Sequence, residues 1–126
     1  MNILIRDIHE DDLAFIFSTW LLGLRYGNEA YKEIDKDVYF SNYKKVIDQL
    51  LKCSQVRVAC LPDDPSVVLG YVVYESTRLH WVFVKKAFRK LSIASQLLPK
   101  DITSYSHVTT MIKSFKPIEW KYDPFL

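Results

Sequence analysis

At 126 residues and a formal net charge of +2, the chain fits one domain and lacks the basic excess of a general nucleic-acid binder. Hydrophobic residues make up 49% and aromatics 14%, enough for a core and too many for a disordered chain. The two cysteines, Cys53 and Cys60, give neither a metal spacing nor a disulfide framework, so no metal site and no oxidising compartment are expected.

Asn2 to Asp7 alternates apolar and polar residues and predicts a first strand. Asp11 and Asp12 fall in a first helical turn, where negative charge is favourable. Leu13, Ile16, Phe17, Trp20, Leu21 and Leu24 then form one apolar helix face. This window is too short to span a bilayer, and the His-Glu-Asp-Asp before it has the wrong charge for a signal peptide. The expectation is a soluble cytoplasmic protein with no membrane partner.

Gly23, Gly27 and Asn28 loosen the chain, and Arg25 to Lys36 reads as a polar loop with tyrosines. Asp37 to Lys52 predicts a second helix, with Tyr39, Tyr43, Val46, Ile47 and Leu50 on one face. Val56 to Cys60 is a strand, with Cys60 in the core. Pro62-Asp-Asp-Pro65 is a turn. Val67 to Tyr74 is the next strand, and Gly70 inside it predicts a bulge or a close backbone approach. Glu75 to Arg78 turns into a strand over Leu79 to Val84, antiparallel to its predecessor.

A short basic turn follows, then a helix with Leu91, Ala94, Leu97 and Leu98 at helical spacing, stopped by Pro99. A turn that opens into a helix leaves backbone N–H groups unpaired and can hold a phosphate. Tyr105 to Ile112 predicts a fifth strand. Pro117 and Pro124 prevent a long helix at the end, where Trp120, Tyr122 and Phe125 are expected to pack an open edge.

The segment Val84-Lys-Lys-Ala-Phe-Arg89-Lys-Leu-Ser92-Ile-Ala94 resembles the acyl-CoA motif of the GCN5-related N-acetyltransferases. Val84, Arg89 and Ala94 match the motif; Ser92 replaces its first glycine, and Lys90 sits where glycine is frequent. The opening Ile-Arg-Asp-Ile-His-Glu-Asp-Asp-Leu and the Gly70-Tyr71 pair are similar to the same family. The resemblance runs from Met1 to about Ile112. It implies one α/β (α+β) domain, with a mixed, mainly antiparallel sheet flanked by helices and a shortened C-terminal part.

It also implies acetyl-CoA as cofactor and acetyl transfer to an amine of a small molecule or protein. Arg89, Lys90, Leu91, Ser92, Ile93 and Ala94 would hold the pyrophosphate, aided by the charge of Lys85 and Lys86. Val82, Phe83 and Val84 would lie beside the thioester, in a gap where the fifth strand splays from the fourth. Arg25 to Lys36 would line the acceptor pocket.

His80 is the first candidate for a general base, because it alternates with Val82 and Val84 and titrates near neutrality. Glu75 is the second. The family's usual acid is a tyrosine on a fourth helix that is short or missing here, which leaves Tyr122 in the tail as a candidate. The rival expectation is a catalytically inactive binding or assembly module, similar to small phage-encoded relatives and placed in a virion or on a host factor. Its C-terminal edge, Phe115 to Leu126, would pair with another copy or partner. Nucleic-acid binding through Lys85, Lys86, Arg89 and Lys90 ranks last.

Overall fold

The computed structural model describes residues 2–109, 112–113, 116–117 and 119–125. The apolar runs at the centre of the sequence become the centre of a six-stranded sheet. Strands β1 (Leu4–Asp7), β2 (Gln55–Leu61), β3 (Asp64–Glu75) and β4 (Arg78–Val84) pair antiparallel in that order. β5 (Ser104–Tyr105) then adds parallel to β4, and β6 (Lys121–Tyr122) parallel to β5. The mixed, mainly antiparallel α/β architecture expected from the sequence is what the chain forms.

Helices cover both faces, which is why β3 is buried along most of its length. On one face α1 (Leu13–Gly27) and α3 (Lys36–Cys53) supply Ile16, Trp20, Leu24, Ile47 and Leu50 against Val58, Tyr71, Val73 and Trp81. Trp20 and Trp81 stack with nearly parallel rings, 5.9 Å between centroids. On the other face α4 (Ile93–Leu97) packs Ile93 and Leu97 with Leu69, Val72, Val82 and Val84.

Gly70 shows the close approach its position predicts. A Cβ there would lie 2.5 Å from the Phe83 carbonyl oxygen and 3.1 Å from Val84 Cα. The pairing also shifts beside it, because Ala59 faces Gly70 while Cys60 faces Val68. Cys60 is buried, as its strand position implies.

Several boundaries differ from the sequence expectation. The loop over Arg25 to Lys36 contains a short helix, α2 (Glu29–Lys32), capped by the Asn28 side chain, which accepts from Ala30 N–H. Its Tyr31 packs edge-on to Tyr43. Asp11 and Asp12 lie in a 3-10 turn before α1, and Asp12 forms a bidentate ion pair with Arg6. The basic turn holds a 3-10 turn of its own at Lys86–Phe88, and α4 starts only at Ile93. Leu91 therefore precedes the helix and stays 45% exposed rather than joining the apolar face.

The fifth strand is the largest correction. It stops at Tyr105, not Ile112. Val108 and Thr109 favour strand, but the Lys113 N–H donates to the Thr109 carbonyl, an i→i−4 bond of helical spacing. In the tail, Trp120 packs against the α4-side core as expected, whereas Phe125 is 78% exposed and covers nothing. Phe115 and Leu126, part of the expected pairing edge, lie outside the described residues. Among the described residues no helix is long and apolar enough to cross a membrane.

Candidate functional site

β4 and β5 pair at Arg78–Ser104 and Leu79–Tyr105. A further bond runs from the Ser106 N–H to the Leu79 carbonyl, 3.0 Å. β5 has ended by then, so among the described residues no strand pairs with the edge of β4 from His80 to Val84. Register decides which groups this edge offers. The Lys85 N–H donates to the Leu69 carbonyl, which makes 85–69, 83–71 and 81–73 the hydrogen-bonded pairs with β3. The N–H groups of Phe83 and Trp81 are thus spent on β3, and those of Val82 and Val84 point away from β3. Of the three residues expected beside a thioester, Phe83 offers only a side chain, and it packs on the α1 face against Phe15 and Tyr71.

The turn beyond Val84 is held by its own arginine: Arg89 Nε donates to the Val84 carbonyl at 3.0 Å. Lys90 and Ser92 both adopt left-handed backbone, φ 67° and 65°. These are the two places where the resemblance expects glycine, and each non-glycine residue costs roughly 1 kcal/mol there. Among the described residues no backbone carbonyl accepts from the N–H of Lys90, Leu91 or Ser92. The first N–H groups of α4, at Ile93 and Ala94, have no partner within their own helix. Lys86, Arg89 and Lys90 stand exposed on this turn. Lys85 does not join them: its Nζ lies 5.1 Å from the centre of the Phe15 ring, on the α1 face.

His80 sits where the pairing of β4 with β5 ends. Val73 faces Trp81 and Tyr74 faces Leu79, so His80 is the extra residue of a β-bulge. The bulge breaks the expected alternation. Leu79 shares a cluster with Val82 and Val84, which strict period two forbids. His80 is 1% exposed. Its Nδ1 lies 2.7 Å from Ser106 Oγ and its Nε2 3.3 Å from Glu75 Oε1. Burial lowers its pKa, against the opposing pull of Glu75. Ser106 Oγ also lies 2.8 Å from His107 Nδ1. Burial, with His80 nearby, brings the His107 pKa down to about 4.

The structure therefore joins Glu75 and His80 directly. Tyr122 is on β6, its ring 5.6 Å from that of Tyr105. It shares with Glu75 a depression of about 660 Å³ at the paired end of β4 and β5, which Ser76, Thr103 and Glu119 also line. The turn over Arg89 to Ala94 is at the far end of β4. Sequence reasoning missed Ser106 and His107. Both fell inside a predicted strand, and only the bulge and the stop at Tyr105 bring them to His80.

No protein-family model matches the sequence, and no curated protein matches it. Solved structures do. A GCN5-related N-acetyltransferase from Rhodopseudomonas palustris superposes with a TM-score of 0.55 at 13% identity, over 77% of this chain and 61% of that one. The apo form of YjaB from Escherichia coli gives 0.54 at 13% identity, over 77% and 62%. A protein assigned as an acetyl transferase from Pyrococcus furiosus gives 0.54 at 21% identity, over 76% and 69%. The fold is that of the GCN5-related N-acetyltransferases. The chain spans less than two thirds of the length of the first two of these structures. None of the three bears on a phage origin.

Proposed function

We propose that this chain is one acyl-CoA-binding domain that transfers an acetyl group from acetyl-CoA to an amine. The observation that carries the reading is the unpaired edge of β4, with the N–H groups of Val82 and Val84 facing away from β3 and a turn of unpaired amides at its end. The residues fit the cofactor in kind. The amides of Lys90, Leu91 and Ser92 suit an anion such as a pyrophosphate, with Lys86 and Lys90 adding charge. α4 has five residues, so its dipole adds little. Arg89 shapes the turn through the Val84 carbonyl instead of reaching for phosphate. Acetyl-CoA would supply the activated acyl group. The Val82 N–H is then placed to stabilise negative charge developing on the carbonyl oxygen.

Calorimetry with coenzyme A tests the binding. We expect saturable heat and a thermal shift, with binding at least tenfold weaker in Ser92→Asp, where a carboxylate enters the anion cradle. No heat and no shift at millimolar ligand would sink the reading.

The left-handed Lys90 and Ser92 favour a second reading, a derivative of the fold kept for binding or assembly without catalysis. It predicts no acetyl transfer to any amine, whether or not coenzyme A binds.

A further inference from the structure

Resting on the acetyl-transfer reading, we propose that His107, Ser106, His80 and Glu75 form an oriented proton shuttle. In it His107 Nε2 takes the proton from the amine and later returns it to the departing thiolate, while Glu75 stores it in between.

Counting hydrogens gives the orientation. The Ser106 hydroxyl carries one proton and has two imidazole nitrogens within 2.8 Å. It donates to one of these rings or to the Leu79 carbonyl at 3.5 Å, and accepts from any ring it does not donate to. If it donated to His107 or to Leu79, His80 would carry its proton on Nδ1, and its bare Nε2 would face the Glu75 carboxylate at 3.3 Å, lone pair against lone pair. The opposite arrangement satisfies every group. His107 Nδ1–H donates to Ser106, Ser106 O–H donates to His80 Nδ1, and His80 Nε2–H donates to Glu75. His80 then has both nitrogens engaged and is a donor to Glu75, not a free base. The atom left with a lone pair is His107 Nε2; the His80 backbone, which also bonds to the His107 ring, is then served by the Nδ1–H. His107 lies two residues beyond the end of β5, past the last bond to β4.

The step balances. As the amine nitrogen bonds to the acyl carbon, its N–H bond breaks and the proton goes to His107 Nε2. The Nδ1 proton passes to Ser106, the hydroxyl proton to His80 Nδ1, and the Nε2 proton to Glu75. The end state is also fully hydrogen-bonded, with protonated Glu75 now donating to His80 Nε2. As the carbon–sulfur bond breaks, the same hops run backwards and the sulfur gains the proton. Amine plus thioester becomes amide plus thiol, and the chain returns to its starting tautomers. Burial of His107 disfavours a resting imidazolium, so the proton is passed on rather than held. Glu75, whose side chain is 40% exposed, is where a charge change is tolerated. The shuttle also supplies an acid without the tyrosine of a fourth helix.

The test is nitrogen-15 NMR of the histidine side chains in ligand-free protein at neutral pH, alongside kinetics with acetyl-CoA. We expect His107 protonated on Nδ1 and His80 on Nε2. In Glu75→Gln, whose amide can donate as well as accept, the preference for these tautomers should weaken. His107 found protonated on Nε2 in the unmodified protein would overturn the shuttle. In Ser106→Ala we expect kcat to fall about 100-fold, in the range general acid–base steps supply. KM for acetyl-CoA should be unchanged, with recovery in Ser106→Thr. Full kcat in Ser106→Ala would overturn it as well. Correct tautomers in a protein that transfers no acetyl group would overturn the acetyl-transfer reading alone and leave the hydrogen-bond polarity standing.

Discussion

His107 carries a consequence for stability apart from any chemistry. Its folded pKa is about 4, against an ordinary 6.5, because burial penalises the charged ring. Between those values the unfolded chain binds a proton that the folded chain refuses. Stability therefore rises with pH across this window and falls as pH drops from about 6.5 to 4. At about 1.4 kcal/mol per pH unit the loss is roughly 3 kcal/mol. His80, also lowered, acts in the same direction. Asp12 acts elsewhere. The Arg6 guanidinium lowers its pKa, so its contribution is present above the ordinary carboxylate range and disappears only as pH falls through its lowered value. Urea titrations at pH 7, 5.5 and 4.5 should show a falling midpoint with little change in slope, and His107→Gln should flatten the fall. A midpoint independent of pH over this range would contradict the buried neutral histidine.

At the scale of elements, the sheet is built around Gly70. A methyl group there meets backbone, the Phe83 carbonyl at 2.5 Å, and no flexible side chain can yield. Gly70→Ala should destabilise by roughly 2–3 kcal/mol, as overpacking does. It should also weaken coenzyme A binding, because Val84 begins the phosphate turn. An unchanged urea midpoint would show that β3 and β4 can separate freely. Gly70 was legible in the sequence, as were the helix faces of α1 and α3 apart from Val46, which is exposed, because each depends on local pattern. The bulge at His80 was not. Leu-His-Trp-Val-Phe-Val reads as plain alternation, and the extra residue is visible only once Tyr74 faces Leu79. The stop at Tyr105 was hidden too. Val108 and Thr109 have strand propensity, and what overrides it is tertiary: the Val108 carbonyl accepts from Asn28 Nδ2. The turn at Arg89 to Ala94 follows β4 as its place in the sequence predicts, but the inward fold of Arg89 and the α1-side position of Lys85 depend on which way side chains leave the sheet.

For the molecule as a whole, the question is what closes the β5 edge. β6 is two residues long, yet it takes three kinds of contact. Lys121 N–H donates to the Thr103 carbonyl and Asp123 N–H to the Tyr105 carbonyl, 3.0 and 2.9 Å. Asp123 pairs with Arg78 at 3.3 Å, and Trp120 packs into the α4-side core. The ion pair is partly solvated, so Asp123→Ala alone should cost under about 1 kcal/mol. Truncation after Pro117 removes all three contacts and leaves two carbonyls of β5 without donors at an open edge. An open edge is a template for another chain. The truncated protein should melt several degrees lower and self-associate as concentration rises. The full chain, whose β6 ends at Tyr122, two residues before Pro124, should scatter light as a monomer. If the truncated form stays monomeric with an unchanged melting point, β6 does not close the sheet. If the full chain is already a dimer, its outer edge is the pairing surface the sequence anticipated.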